Sequence, residues 1–354
     1  MAVMSVRMSR TLRAASLALA SVLVWPLVAC SGSDEVHDEL QVVENPTAAT
    51  APPSPETTTA PEGVVLGTDA GVPVGDVTAL TTDPDTGVLA VAARNPDQVL
   101  LYDLETLDAP GREPTTVVEL PGPAEQLAVL QNTLVATVPS ANVLARISLP
   151  DGELHTTSVP GRPTGVASFG DRLLVSLREG KGIGVVEDDH VVSTIKGGLN
   201  SADDVVVVDG RTIVLDRLRS AVFTVDVDGQ DIGEGLRAGQ GAANIVADAF
   251  GRVFTTDTRR SAVLAFSTDP LLLRQLYPVP GGAYALAYDA QRHLLWVTLP
   301  ARNEVVGFDV RGGEPVEKHR YPTLRQPNSI TVEERTSRVV IGSAAGEGIQ
   351  VIAP

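Results

Sequence analysis

The stretch 240–279 reads QGAANIVADAFGRVFTTDTRRSAVLAFSTDPLLLRQLYPV, and its own punctuation divides it into four short strands. Asn244 to Asp248 is a short apolar run, turned by Ala249-Phe250-Gly251. Arg252 to Thr256 is β-branched and aromatic, the composition of a strand. Asp257-Thr258-Arg259-Arg260 turns the chain again. Ser261 to Phe266 is then a third strand, and Leu271 to Val279 a fourth beyond the Asp269-Pro270 breaker. One sheet of four such strands cannot bury both of its faces, so it must stack on copies of itself.

Those copies are present. First strands open at Asp76-Val77-Thr78, Ala124-Glu125-Gln126, Pro163-Thr164-Gly165, Ala202-Asp203-Asp204, Ala243-Asn244-Ile245, Tyr284-Ala285-Leu286 and Pro327-Asn328-Ser329. Second strands follow each of them, among them Val88 to Val91, Leu134 to Thr137, Leu173 to Ser176 and Leu294 to Val297. The period of roughly 40 residues is that of four-stranded propeller blades, and nothing here reads as a helix. The seventh unit runs out at Ile349-Gln350-Val351-Ile352 without a fourth strand, which would leave an open sheet edge. Gly63-Val64-Val65-Leu66-Gly67, which has no blade of its own, is placed to fill it. The expectation is an all-β, seven-bladed β-propeller of four-stranded antiparallel blades over 63–354, its last blade closed by an N-terminal strand. Six or eight blades are the alternative counts.

Ahead of the repeats, Arg7, Arg10 and Arg13 precede an apolar run from Ala14 to Val28, the pattern of a secretory signal over 1–29. That run is short for a membrane span of ~20 residues. It ends in Leu27-Val28-Ala29-Cys30, which matches a bacterial lipobox, and Cys30 is the one cysteine in the chain. Cys30 is therefore read as the lipidated N-terminus of the mature protein, anchoring it to the outer face of the cytoplasmic membrane in the cell envelope. Residues 30–62 carry seven acidic side chains and no Lys or Arg, then a Pro/Thr/Ala-rich run, and are read as a disordered tether. The formal net charge is −17, and loss of the three signal arginines takes it to about −20. Such a balance argues against nucleic acid as a partner. With one cysteine there is no intramolecular disulfide, so packing and strand pairing supply the stability, and a monomer is expected.

The second half resembles the conserved actinobacterial lipoproteins called LppL. The resemblance is carried by Leu236 to Ala242, Asp257-Thr258-Arg259, Asp269-Pro270-Leu271, Tyr277-Pro278-Val279, Arg320-Tyr321-Pro322-Thr323 and Gln326-Pro327-Asn328-Ser329. The repeats also look like YVTN and NHL propeller units, although Asp257 to Val263 is only a loose NHL signature. The resemblance implies an envelope lipoprotein with a propeller, and it brings no catalytic motif.

Catalytic signatures are missing from the sequence. His37, His155, His190, His293 and His319 show no metal-ligand spacing, and there is neither a Gly-x-Ser-x-Gly elbow nor a cysteine in the folded region. Asp226-Val227-Asp228-Gly229-Gln230-Asp231 resembles the start of a calcium loop, but it lacks the closing Glu and reads as a hairpin turn. The informative positions are the starts of the innermost strands, which surround a propeller's channel mouth: Thr78, Glu125, Gln126, Thr164, Asp203, Asp204, Asn244, Tyr284, Asn328 and Ser329. Loops opening on the same face carry Arg94, Arg178, Lys181, Arg217, Arg219, Arg259, Arg260 and Arg302. The candidate binding set is Glu125, Gln126, Asp203, Asp204, Asn244, Tyr284, Asn328, Arg217, Arg259 and Arg302, for an anionic small molecule or another envelope protein. The competing reading of the arginines is solvated turn residues paired with Asp216, Asp257 or Glu304. No cofactor is expected on the binding reading. The alternative is a calcium-dependent lactonase or hydrolase, with Glu125, Asp203, Asp204, Asn244 and Asn328 converging on the ion.

Overall fold

The computed structural model describes residues 45–354 apart from 57–58, 68–73, 110 and 131–132. The expected signal segment, Cys30 and the first part of the tether lie outside the described residues. Within them, seven antiparallel sheets of four strands form the seven-bladed propeller read from the repeats. Blades 1 to 6 cover 76–119, 126–158, 163–196, 204–237, 242–278 and 286–322. Blade 7 covers 327–352 and takes its outermost strand from the N-terminal side: Val64–Leu66 pairs antiparallel with Ile349–Ile352, Val64 opposite Val351 and Leu66 opposite Ile349. The only helical turns described are Leu104–Thr106 and Pro300–Arg302, both 3-10.

Sequence pattern follows radial position within each blade. Second strands are packed on both faces by neighbouring blades and so are almost unbroken apolar runs, as in Leu294–Leu299, buried at every residue. Outer strands face solvent on one side and alternate, as in His190–Lys196. Between each pair of neighbouring blades lies one apolar cluster, seven in all. The cluster joining blade 7 to blade 1 packs Leu66, Leu89 and Leu100 with Val340 and Ile349, so the ring closes with the same packing that holds its other joints.

Two features of the fold position the channel. In blades 1, 3, 5 and 7 the pairing of first to second strand slips at the start, between Val77 and Ala79, Pro163 and Gly165, Ala242 and Ile245, and Pro327 and Ser329. Each slip leaves a ring residue out of register, Thr78, Thr164, Asn244 or Asn328, and a bulge of this kind re-aims a side chain. Hydroxyls on second strands then tie neighbouring blades together at the wall. Thr137 Oγ1 accepts from Gln126 N at 3.0 Å and donates to Thr164 O at 3.1 Å. Thr256 Oγ1 accepts from Asn244 N at 3.2 Å and donates to Tyr284 O at 2.8 Å.

Residues 45–56, which sequence composition assigns to the tether, lie against blades 4 to 7 on the face where the first strands begin. Between Asn45 and Glu56 their side chains are small or proline, and they form no regular structure, but Ala49 is only 3% exposed. What holds them is hydrogen bonding to their backbone from the propeller, and amino-acid composition does not report such bonds.

Candidate functional site

All ten ring residues read from the sequence line one cavity of about 500 Å³ at the propeller axis. Arg94, Arg178 and Arg217 of the basic collar line it as well. Arg259 and Arg302 do not. The alignment of turns places them on the same face, but their stems leave the turn away from the axis. Arg259 donates to Gln240 O at 2.9 Å and to Thr47 O at 2.7 Å, while the stem of Arg302 packs beside Gly281. Arg219 is also withdrawn: it is buried over the Phe223 ring, 5.2 Å from the centroid, with Nη1 on Gly198 O.

The charges in the cavity are arranged as a connected network. Arg178 makes a two-pronged bond to Glu125, Nη1 to Oε1 at 2.9 Å and Nη2 to Oε2 at 2.6 Å, while its Nε donates to Asp203 Oδ1 at 2.8 Å. Burial works against this guanidinium's charge, but the bonds to Glu125 and Asp203 outweigh it and raise its pKa. The second oxygen of Asp203 accepts from Arg217 N at 2.9 Å and lies 2.5 Å from the Ser201 hydroxyl. That hydroxyl is also 2.9 Å from Asp216 Oδ1. Asp216 is fully buried and accepts from the Asn200 and Arg219 amides, tying the channel wall to the turn that carries Arg217.

Unlike Glu125 and Asp203, Asp204 has no cationic partner in contact. Its Oδ1 accepts from Val205 N at 2.8 Å and Gln126 Nε2 at 3.0 Å. Burial pushes its carboxyl up to about 7, with Asp203 adding to the rise and Val205 N–H, Gln126 and Arg217 opposing it. Gln126 in turn accepts from Val166 N, so its amide is oriented by blade 3 while it serves Asp204 on blade 4. Across the axis, Asn244 Nδ2 donates to Tyr284 O at 2.9 Å and Asn328 Oδ1 accepts from Gln326 Nε2 at 3.1 Å. Arg217 sends Nη2 to Ala49 O, while its buried Nε has no hydrogen-bond partner.

The acidic ring does not fit a calcium ion. Glu125 and Asp203 are bound to Arg178, Asp204 is occupied by two donors, and no cluster of three His, Cys, Asp or Glu side chains among the described residues is placed to hold a metal. Asp226 accepts from Gly229 N at 2.8 Å, consistent with a hairpin turn there. Sequence reasoning missed Gln326 and Asn303, whose side-chain amides both bind the 45–56 segment. Only their position on loops of the channel face could have drawn attention to them.

No family model and no curated protein sequence matches this chain. Solved structures do. A streptogramin B lyase is 13% identical with a TM-score of 0.66, over 79% of this chain and 94% of that one. A catalytically inactive virginiamycin B lyase from Staphylococcus aureus with quinupristin is 15% identical with a TM-score of 0.68, over 80% and 97%. Hydrazine synthase from Kuenenia stuttgartiensis is 13% identical with a TM-score of 0.68, over 79% and 96%. At such identities the likeness is one of fold, and the fold these chains share with this one is the β-propeller.

Proposed function

We propose that this chain is a cell-envelope lipoprotein of the LppL type, held at the outer face of the cytoplasmic membrane by a lipid on Cys30, whose propeller binds a small anionic molecule at its channel mouth. The observation that carries the binding reading is Arg217: a guanidinium on the wall of a 500 Å³ polar cavity, whose Nη2 is met by the neutral Ala49 O rather than by a carboxylate. A planar guanidinium with donors to spare suits a carboxylate or phosphate, and the low dielectric of a channel mouth strengthens such a contact relative to open surface. Asn244, Tyr284 and Asn328 line the same cavity and offer neutral polar groups for orientation. Binding is favoured over hydrolysis because the carboxylates that would activate water are already engaged by Arg178 and Gln126. The lyase activity of the structural neighbours is not carried over, since no residue-level correspondence supports it.

Two measurements test the reading separately. For the site, the probe is citrate: the wild type should show a saturable rise in melting temperature that weakens as salt increases, and Arg217→Gln should lose it with an unchanged circular dichroism spectrum. No stabilisation of the wild type by citrate or by inorganic phosphate would end the anion proposal. For the anchor, Cys30→Ser should move the protein from the membrane to the soluble fraction or leave an uncleaved precursor. A wild-type protein whose intact mass lacks a lipid would remove the lipoprotein assignment.

A further inference from the structure

The 47–55 segment is held as a ligand is held. Four propeller side chains donate to its backbone carbonyls: Arg259 to Thr47 at 2.7 Å, Arg217 to Ala49, Gln326 to Pro52 at 2.9 Å and Asn303 to Pro55 at 3.0 Å. Ser54 is read on every polar atom it offers as donor. Its N–H donates to Gln326 Oε1 at 3.1 Å and its hydroxyl to Pro300 O at 2.9 Å, while that hydroxyl accepts from Gln326 N at 2.7 Å.

The surface beneath is shaped for it. A Cβ at Gly241 would stand 2.6 Å from Arg259 Cγ and 3.0 Å from Ala49 Cβ, and one at Gly282 would stand 2.4 Å from Pro52 Cγ, so the two glycines leave room for the chain and for the Arg259 stem that reaches it. Prolines 52, 53 and 55 favour an extended backbone whose carbonyls are left free for outside donors. Side-chain donors to backbone carbonyls on a grooved face, a small residue in a tight site and a proline over a glycine together make a mode of peptide recognition.

We propose that the mouth face of blades 4 to 7 is a recognition groove for an extended, proline-containing peptide, and that residues 47–55 are its occupant in cis, a strap that can be released and replaced. The features read are a small residue at the position of Ala49, a proline three residues on, and a serine two beyond that. The groove meets the channel site at Arg217, which lines the cavity and donates to Ala49 O, but its other donors, Arg259, Asn303 and Gln326, stand on blades 5 to 7 away from the acidic half, and the proposal stands whether or not the channel binds an anion and whether or not Cys30 is lipidated.

Hydrogen exchange on the full chain tests occupancy. The amide of Ser54, the strap N–H that donates to the propeller, should exchange roughly 100-fold more slowly than in the isolated peptide TAATAPPSPE. Ala49→Trp, which overfills the tight site from the strap side, and Gly241→Leu, which fills it from the propeller side, should each bring that amide to the peptide's rate while propeller amides stay protected. Replacement is tested by adding fluorescent TAATAPPSPE to the full-length Ala49→Trp protein, whose groove is vacated. Saturable binding is expected, weakened at least about tenfold when Gly241→Leu is added. A Ser54 amide that exchanges freely in the wild type, or that stays protected in Ala49→Trp, would overturn the proposal. So would a vacated groove that fails to bind the peptide, since 47–55 would then be a covalent extension of the fold with no recognition site beneath it.

Discussion

Removal of residues 1–67 is expected to lower the melting temperature by on the order of 10 °C and to make the protein aggregate, whereas removal of 1–61, which takes the strap but leaves the strand, should cause far less loss and no aggregation. Val64–Leu66 is three residues long, yet it performs the ring closure. Leu66 is fully buried in the cluster that joins blade 7 to blade 1, and truncating a Leu at such a site alone costs about 2–5 kcal/mol. Loss of the strand also opens the edge of Ile349–Ile352, whose four residues are all buried in the intact blade. An apolar edge with free backbone donors and acceptors pairs readily with other chains. Leu66→Ala separates the two contributions: it should lower stability through the core without exposing the edge, so the loss should come without aggregation. Equal melting temperatures for the two truncations would mean that the ring is held without its N-terminal strand, against the pairing of Val64 with Val351.

The parts of this protein that were legible in its sequence are those written by burial. Second strands such as Leu294 to Leu299 are apolar throughout because both faces are covered, and that pattern recurs at a period that counts the blades. The ring residues were legible for a related reason: once the first strands are aligned, topology sends their starts to one axis. Side-chain direction was not read from the alignment of turns. Arg217 directly follows buried Asp216, whereas Arg259 stands two residues after the equivalent Asp257, and with this one-place offset the first enters the cavity and the second turns to Thr47 and Gln240. The strap was hidden more completely. Its residues carry no hydrophobic period, and its partners stand 168 to 274 positions away along the chain, each on a loop whose sequence is ordinary for a turn. Low hydrophobicity predicts that a segment cannot build its own core, and it says nothing about whether another surface will hold it.

Asp204→Asn is expected to stabilise the protein at pH 8 and to leave it nearly unchanged at pH 4. The sign follows from the carboxyl's displacement from its ordinary value of 3.8 up to about 7. Between those values the folded chain retains a proton that the unfolded chain has released. The stability that goes with that proton is intact below about pH 4 and is lost as pH rises through about 7. Beyond that point a carboxylate stands in the channel wall with Asp203 beside it and only amide donors in contact. Asparagine keeps the acceptor for Val205 N–H and Gln126 Nε2 but never ionises. At 1.36 kcal/mol per pH unit the gain at pH 8 is bounded by about 4 kcal/mol, and water in the channel reduces it. A second consequence concerns the cavity. Arg178 and Arg217 face Glu125, Asp203 and Asp204 there, with Arg94 paired to Asp76, so protonation of Asp204 removes one of the negative charges that oppose an incoming anion. Citrate should therefore bind the wild type more tightly at pH 6 than at pH 8, while Asp204→Asn should bind it at pH 8 as the wild type does at pH 6. Citrate's own ionisation shifts over this range, so the variant measured at both pH values supplies the control. If melting curves of wild type and Asp204→Asn run parallel from pH 4 to pH 8, Asp204 titrates as an ordinary carboxylate and the channel is wetter and more polar at Gln126 than its packing implies.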